Sequence, residues 1–449
     1  MTKTSKNPLL AFFSSVQLAL FLLFLMAGTS IIGTIIPQNA PPGRYLEQYG
    51  AKMARFMELL NLTDMYNSRW FLLLLLLFAL NLIVCSLERI PQVIKIIKRD
   101  NLDTSADRLE KMGLRARVTL PGGAQEGEAH IRKVFQQQGW KPQQRQQKDG
   151  TLFFAEKGAW TRFGVYIVHL SILIVLLGAL IGSSTVAKKL LRDPSFAFKG
   201  SVMIPESRQS EVIYAFKSGT PIELGFGVRC DYFTIEYYPN GMPKTYLSKV
   251  TVVEDGAEVL STDIKVNSPL TYKGITFYQS SYQPYQDYVV TLQKGAAELQ
   301  TSSIIPHSQQ QQWSEAGITY GIINRENRGE VTRRVKVWLS DGQGEPSIFW
   351  VNLGQEALVE RPSGSYTFQA KQLYATGLQV TKDPGVWLVY GGCILMLIGL
   401  YVAFFMSHRK LFAMLRSDGS SATILFAGSA NKNKVGFEKK FEDLAGTNR

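Results

Sequence analysis

The sequence predicts a polytopic α-helical membrane protein with four transmembrane helices and a large extracytoplasmic all-β domain. Three observations support this fold class: apolar residues gather in four blocks, positive charge is concentrated beside particular block ends, and one long segment has the residue pattern of β-strands. Each block has about the length, roughly 20 residues, that a membrane-spanning helix requires. The blocks lie at residues 9–36, 70–86, 163–182 and 385–406.

The first block follows two lysines, as the apolar core of a signal peptide would. It is too long for such a core, and "GTIIPQN" contains no small-x-small cleavage pattern. We therefore expect residues 1–36 to form a cytoplasmic N-terminal tail and a retained transmembrane helix 1. Residues 37–68 form an outer loop, in which apolar residues at helical spacing between 45 and 60 predict a short helix. That helix lies either at the membrane interface or against the outer domain.

The distribution of charge predicts the orientation. The loop 88–162 holds 15 Lys and Arg against 9 Asp and Glu, and the segment from residue 407 holds 8 against 4. The loop 37–68 contains only three cations. Because cytoplasmic loops carry the excess of Lys and Arg, both termini and the loop 88–162 are expected in the cytoplasm. The net charge of +13 then follows the membrane, and no nucleic-acid partner is expected.

The remaining boundaries follow from these blocks. Basic and apolar residues in "RIPQVIKIIKRD" predict an interfacial extension of helix 2, and a β-α-β pattern follows it. The segments are transmembrane helix 2 at 69–88, a small cytoplasmic α+β domain at 89–162, transmembrane helix 3 at 163–183, an extracytoplasmic β-rich domain at 184–384, transmembrane helix 4 at 385–406, and a basic cytoplasmic tail at 407–449.

The outer segment alternates β-branched and aromatic residues with turn pairs such as Asn240-Gly241 and Asp255-Gly256. About 200 residues of this pattern, with turns every 8–12 residues, predict a β-sandwich or an open barrel. The segment has no glycine-rich phosphate loop, H-E-x-x-H or G-x-S-x-G motif, so we expect no catalytic site of its own. It contains a single cysteine, Cys230, which excludes an internal disulfide there.

The third block contains the principal candidate functional residue, His169. No Asp, Glu, Lys or Arg lies between Phe163 and Gly182, and an ionisable side chain inside a membrane span marks a functional site by default. His169 is six residues from Phe163, which places it about 9 Å into the span at 1.5 Å per residue.

Small residues occupy the opposite face of the same helix. At about 100° per residue they fall within roughly 40° of one another, and His169 points roughly 160–200° away from them. Small residues allow a second helix to approach closely, so His169 should face a further helix or a bound cofactor. These residues, which we call the small-residue seam, are Gly164, Ser171, Gly178 and Gly182.

Three interpretations of His169 remain open from the residues alone. It could be a structural imidazole bonded to a neighbouring carbonyl or hydroxyl, a metal or haem ligand, or part of a proton relay. The relay would lack an intramembrane carboxylate. His130 and His307 lie in polar stretches and are expected to be exposed. His408 lies at the end of helix 4, where snorkelling or contact with lipid headgroups is the ordinary interpretation.

Several long motifs resemble the ResB (also called CcsB) family of cytochrome c biogenesis proteins, in the order in which they occur there. The resemblance covers nearly the whole chain. The motifs are "GTIIPQ" (33–38), "SRWFLLLLLLFALNLIVCSLER" (68–89), "VHLSILIVLLGALIG" (168–182), "YYPNGMPKTYLSKV" (237–250), "IKVNSPLTYKGITFYQSSY" (264–282) and "GLQVTKDPGVWLVYGGCILMLIGLYVAFFMSHRK" (377–410).

The resemblance implies an accessory subunit of a cytochrome c haem lyase, or synthase, in the bacterial cytoplasmic membrane. It implies a polytopic partner of the ResC or CcsA type, transient binding of haem b as the transported substrate, and attachment of that haem to apocytochrome c. The membrane histidine of "VHLS" maps onto His169 and is implied to be an axial ligand of the haem iron, with the second histidine supplied by the partner. The outer β-domain would shape the chamber or guide the apocytochrome.

Two other function classes remain as alternatives. One is a membrane-anchored scaffold or binding protein of the same complex that does not ligate haem. The other is a proton- or ion-coupled transporter. This alternative is poorly supported, because the chain has only four predicted spans and none of them contains a carboxylate.

Overall fold

The computed structural model describes residues 8–445, except 217, 241, 296–298 and 329–330. These residues divide into two compact units. The membrane unit comprises the described residues of Met1–Leu180 and Gly385–Arg449, and the β unit comprises those of Ile181–Pro384.

The helices follow the apolar blocks and the short helical patterns between them. In chain order they are α1 (Pro8–Phe13), α2 (Val16–Ile35), α3 (Pro42–Leu59), α4 (Arg69–Ile97), α5 (Ala106–Glu110), α6 (Ala124–Gln137), α7 (Gly164–Ile181), α8 (Ser184–Val186), α9 (Val386–Phe405) and α10 (Lys434–Ala445).

The strands of the membrane unit come from both of its chain segments. They are β1 (Leu114–Pro121), β2 (Gln143–Gln147), β3 (Gly150–Lys157), and, after the β unit, β18 (Arg409–Ser417) and β19 (Ser421–Ala430). Those of the β unit are β4 (Phe198–Pro205), β5 (Arg208–Ala215), β6 (Pro221–Tyr237), β7 (Pro243–Glu254), β8 (Ala257–Lys265), β9 (Leu270–Tyr272), β10 (Ile275–Lys294), β11 (Leu299–Pro306), β12 (Gln310–Trp313), β13 (Ile318–Arg328), β14 (Val331–Ser340), β15 (Ser347–Asn352), β16 (Glu356–Arg361) and β17 (Gly364–Lys382).

Four helices of the described chain are long and apolar enough to cross a membrane, which confirms the predicted number. They are α2, α4, α9, and α7 together with the 3₁₀ turn before it. The first apolar block is broken at residues 14–15, because the Ser15 hydroxyl accepts hydrogen bonds from the Gln17 and Leu18 amides and caps α2. The short helix α1 therefore precedes the first span as a separate element.

The membrane helices form a bundle with its own apolar core. Leu22 of α2 and the α4 residues Phe78 and Leu82 are buried together, and Ile172 and Leu173 of α7 pack against them. The helix α4 runs for 29 residues, about 43 Å at 1.5 Å per residue. It therefore extends beyond the roughly 30 Å hydrocarbon core of a bilayer and includes the predicted interfacial extension.

The loop between the first two spans contains the predicted short helix as α3. Its buried residues are Tyr45, Ala54 and Met57, while Phe56 and Leu59 are exposed. The helix bends at Gly50, whose φ of +74° is a conformation that glycine adopts without steric cost.

A small α+β domain is formed by residues 99–158 together with residues 407–445. Its five-stranded antiparallel sheet has the order β1-β19-β18-β3-β2. The segment 407–449, predicted only as a basic tail, thus supplies two of the three interior strands. Register pairs such as Leu114 with Gly428 and Leu411 with Ala155 join chain segments that lie far apart in sequence.

Both faces of this sheet are covered by apolar side chains. On one face, Ile131 and Phe135 of α6 and Phe437 and Phe441 of α10 bury the sheet residue Phe426. On the other face, α5 and the segment before it form a second core, whose buried members include Leu102, Leu109, Phe154 and Phe412. The small domain is therefore a three-layer structure that depends on the C-terminal segment.

The β unit confirms the predicted all-β domain and contains two sheets. One has the strand order β11-β10-β17-β4-β5-β6-β7-β8, with β16 paired to β17 and β9 paired to β10, and the other has the order β12-β13-β14-β15. One core lies between the two sheets and includes Val290, Phe368 and Val337. The second is enclosed by strands of the larger sheet alone, including Phe277, Val380 and Val250, so that this sheet curls onto itself.

Candidate functional site

His169 lies in the second turn of α7 and contacts the neighbouring helix α4. Its Nδ1 atom is 3.0 Å from the Ser86 hydroxyl oxygen, and the ring is half-buried. The Tyr166 ring, one turn earlier on α7, meets the imidazole edge-on at 6.1 Å between centroids. The histidine is thus held between two membrane helices.

The two nitrogens of this imidazole are not equivalent. Nδ1 is hydrogen-bonded to Ser86, whereas Nε2 has no hydrogen-bond partner among the described residues. A histidine that binds a metal through one nitrogen usually donates the other N–H to a fixed acceptor, which sets the tautomer and the ring orientation. The Ser86 hydroxyl can accept such a bond, which leaves the Nε2 lone pair available to a ligand from outside the chain. The donor set would therefore fit a single bond from Nε2 to a metal ion.

Three residues of the small-residue seam, Gly164, Ser171 and Gly178, pack against α9 and the residue that caps it. A β-carbon placed on Gly164 would lie 2.7 Å from the Ala403 amide nitrogen, and one on Gly178 would lie 2.9 Å from the Gly385 carbonyl oxygen. Gly399 of α9 approaches α7 as closely, because its β-carbon would lie 2.9 Å from the Val168 amide nitrogen. The two helix backbones are thus nearly in contact, as the spacing predicts. Since Ser86 lies on α4, α7 has α9 on its seam face and α4 on its histidine face.

A second polar side chain in the bundle has a structural role. Asn81, near the middle of α4, is fully buried, and its amide donates to the carbonyl oxygens of Phe13 and Ser15 at 2.7 and 3.1 Å. Those carbonyls lie at the break between α1 and α2, and the Ser15 carbonyl also accepts the Ala19 amide, so Asn81 ties the break to α4. Sequence reasoning did not single out Asn81 or Ser86, although both are polar residues within an apolar block.

His408 is buried, with 2% of its surface exposed, so the interpretation as a snorkelling or headgroup-contacting residue is wrong. Its Nδ1 accepts a hydrogen bond from the Arg162 Nε–H at 2.8 Å, and its Nε2 lies 2.9 Å from a Glu156 carboxylate oxygen. Because Nδ1 accepts, the proton of the neutral ring is on Nε2 and is donated to Glu156. Burial lowers the pKa of His408, which keeps this neutral form. Both nitrogens are used within the chain, so His408 is not a ligand candidate.

The β unit contains buried polar groups that are satisfied internally. The carboxylate of Glu206 accepts hydrogen bonds from the Phe233 and Tyr374 amides at 2.6 and 3.1 Å and pairs with Lys371. Burial raises the pKa of the Cys230 thiol to about 12, so this cysteine stays protonated and unreactive at neutral pH. No group of three or more His, Cys, Asp or Glu placed to bind a metal occurs among the residues that the structure describes.

His130 and His307 are both partly buried, so the expectation that they are exposed is wrong. The Nδ1 atom of His307 is buried and has no hydrogen-bond partner within the described ranges. Burial lowers the pKa of His307, with a smaller contribution from Arg325, and the ring is therefore neutral at physiological pH.

Comparison with known proteins gives one consistent result. The model of the ResB-like family matches residues 16–345 and 339–442. Among similar curated proteins is the cytochrome c biogenesis protein CcsB of a Synechococcus species, 27% identical over 98% of this chain and 90% of the relative. The CcsB proteins of Gloeobacter violaceus and a Nostoc species are 28% and 26% identical, over 97% and 98% of this chain and 90% and 93% of those relatives.

Proposed function

Because this chain belongs to the ResB-like family, we propose that it is a subunit of a membrane complex that exports haem and promotes its attachment to apocytochrome c. Relatives named as cytochrome c biogenesis proteins, matched almost from end to end, support a role in that process. The chain supplies one intramembrane ligand of the haem iron, His169, and a large β domain.

The observation that carries this proposal is the state of the His169 imidazole. Its Nδ1 is bonded to Ser86 and its Nε2 is without a partner in the described chain, at a depth of about two helical turns within a membrane helix. An unpaired imidazole nitrogen in hydrocarbon is costly, and iron is a partner that neutral imidazole binds well. The close packing of α7 on α9 fixes the helix, and Ser86 fixes the ring.

A second axial histidine would have to come from another protein. The three other histidines of this chain, His130, His307 and His408, lie outside the membrane-spanning helices. This supports a polytopic partner of the ResC or CcsA type, which would complete both the helical enclosure and the iron coordination.

This proposal predicts how the visible absorption of the protein depends on its partner. The chain purified alone should show little bound haem, and the chain purified with its partner should show the sharp absorption bands of six-coordinate haem with two axial histidines. We would record spectra of both preparations at equal protein concentration. Stoichiometric bis-histidine haem in the isolated chain would contradict the shared site, and a complex without haem at any stage of purification would favour the scaffold alternative.

We place the small domain in the cytoplasm and residues 184–384 outside it. The helix-end residues Arg89, Arg99, Arg162 and Arg409 support this orientation through the positive-inside rule. The pairing of β1 with β19 adds a constraint, because residues 114–121 and 421–430 share one sheet and must lie on the same side of the membrane.

Reporter fusions test this orientation. A periplasmic reporter fused after residue 250 should be active, whereas the same reporter fused after residue 120 or after residue 430 should be inactive. A cytoplasmic reporter at the same three positions serves as the control and should give the opposite pattern. A periplasmic signal from position 120 would contradict the four-helix arrangement.

A further inference from the structure

A cationic cavity lies where the small domain meets the ends of the membrane helices. It has a volume of about 260 Å³. The described residues that line it include four cationic side chains and no carboxylate, together with polar groups of the small domain such as Asn101 and Thr104. The cations are Arg99, Arg108, Arg162 and Lys410.

The positive charge of this cavity is poorly compensated by the residues that the structure describes. Arg99, Arg108 and Arg162 form no ion pair with any residue that the structure describes. Lys410 lies 3.9 Å from the Glu156 carboxylate, which also accepts the hydrogen bond from His408 Nε2–H. Lys410 donates to the Asn101 side-chain oxygen at 3.0 Å. Among the described residues, Glu156 is thus the one carboxylate within ion-pair distance of any of the four cations, and it reaches only Lys410. Burial, with the repulsion of the three arginines, lowers the pKa of Lys410 despite Glu156.

The cavity lies beyond the apolar stretches of the membrane helices, where lipid headgroups are expected. Arg99 follows the last residue of α4, Ile97, by two positions, and α4 is longer than the hydrocarbon core. Lys410 follows the end of α9 by five positions. Ile96, which lines the cavity, exposes 41% of its surface, and Ile94 in the same turn of α4 exposes 36%. Cations with an apolar rim at a helix end match the two parts of a phospholipid.

We propose that this cavity binds the phosphate group of an anionic phospholipid. Arginine side chains offer paired N–H donors that match the oxygens of a phosphate, and basic pockets at membrane helix ends recognise anionic headgroups in this way. The bound lipid would bridge α4, the start of α7 and β18, and so fasten the small domain to the helices that hold His169. A soluble phosphate compound has the same binding chemistry, but it would gain nothing from the apolar rim.

The test is native mass spectrometry of the full-length chain in detergent, titrated with phosphatidylglycerol or with phosphatidylcholine of the same acyl chains. Wild-type protein should retain phosphatidylglycerol at least tenfold better than phosphatidylcholine, because each cation adds roughly independently to the attraction for a lipid with net negative charge. The double variant Arg99→Gln/Arg108→Gln should bind phosphatidylglycerol roughly 30-fold more weakly. The charge-preserving variant Arg99→Lys/Arg108→Lys should retain most of the preference. Both positions are exposed, so the fold should be unaffected.

The matched control is Arg132→Gln/Lys133→Gln, which removes two charges from α6 on the opposite face of the sheet. It should bind phosphatidylglycerol as wild type does. Equal retention of the two lipids by wild-type protein, or equal losses in the two glutamine variants, would overturn the proposal. Displacement of phosphatidylglycerol by millimolar inorganic phosphate would overturn the lipid assignment and indicate a soluble phosphate ligand instead.

Discussion

His169→Ala is expected to remove nearly all haem from the complex and to abolish cytochrome c maturation. The substitution deletes the imidazole. Of the residues one turn away on α7, Ile172 and Leu173 have no ligating atom, and Tyr166 is a poor substitute because its phenol would have to lose a proton within the membrane to bind iron. A lost axial bond cannot be compensated by hydrocarbon neighbours. Haem per complex and the yield of mature cytochrome should be measured at matched protein levels.

Exogenous imidazole separates a ligand from a structural histidine. If His169 ligates iron, free imidazole can enter the vacated site and restore part of both the haem content and the cytochrome yield. If the ring only braces α7 against Ser86, its loss should lower the amount of folded complex, and imidazole should have no effect. Unchanged haem in the alanine variant would refute the ligand assignment.

Two further variants refine this result. Ser86→Ala removes the hydrogen bond to Nδ1 but keeps the His169 imidazole. If His169 ligates iron, loss of this supporting contact should weaken the affinity for haem by about 10–100-fold, as is typical of such contacts. Haem occupancy should therefore fall at limiting haem and recover at higher haem concentration. His130→Ala, on α6 of the small domain, is the matched control and should leave the spectrum unchanged.

The sequence anticipates the membrane helices and the faces of α7 because both depend on local patterns. An apolar block of sufficient length forms a spanning helix regardless of which other helices it packs against. The spacing of Gly164, Ser171 and Gly178 fixes a common face at 3.6 residues per turn, whatever packs on it. The same holds for His169, whose separation from the seam follows from its position in the helix alone.

The sequence does not reveal contacts between distant segments. The strand β18 pairs with β3, so Leu411 and Ala155 are partners although most of the chain lies between them. Two apolar runs, at 411–415 and 422–428, lie on either side of Asp418-Gly419, which is a local hairpin signal that the prediction of a basic tail overlooked. Nothing local indicates that this hairpin lies in the interior of a sheet. The surface position predicted for His408 is wrong for the same reason, because its burial depends on Arg162 and Glu156 from the other part of the chain. The pairing of Ser86 with His169 likewise requires the packing of α4 on α7.

Gly178→Leu is expected to reduce the amount of assembled complex severely. A β-carbon at this position would lie 2.9 Å from both the Gly385 carbonyl oxygen and a methyl group of Val389, and 3.0 Å from the Leu388 β-carbon. The contact with backbone cannot be relieved by a change of rotamer, so α7 and α9 must separate. Overpacking of this kind costs about 1–3 kcal/mol or more, which corresponds to a roughly 5- to 150-fold shift toward a chain in which α7 and α9 are separated, and such a chain should assemble poorly with the partner.

Gly391→Leu is the matched control for this substitution. Gly391 lies in α9, and a β-carbon added to it would have no heavy atom of the described chain within 4 Å. A leucine there adds apolar surface without meeting a neighbour, so assembly should be unchanged. Complex yield should be measured by co-purification with the partner, and haem should be measured per assembled complex.

The two measurements together distinguish a packing face from a ligand face. Gly178→Leu leaves His169 and Ser86 intact, so whatever complex still assembles should carry haem with an unaltered spectrum. His169→Ala should show the reverse, with assembly largely retained and haem lost. Normal assembly of Gly178→Leu would contradict the close contact between α7 and α9. Loss of haem from assembled Gly178→Leu would mean that the seam positions the ligand as well as the helix, since Gly178 lies nine residues, about 13 Å, from His169 along α7.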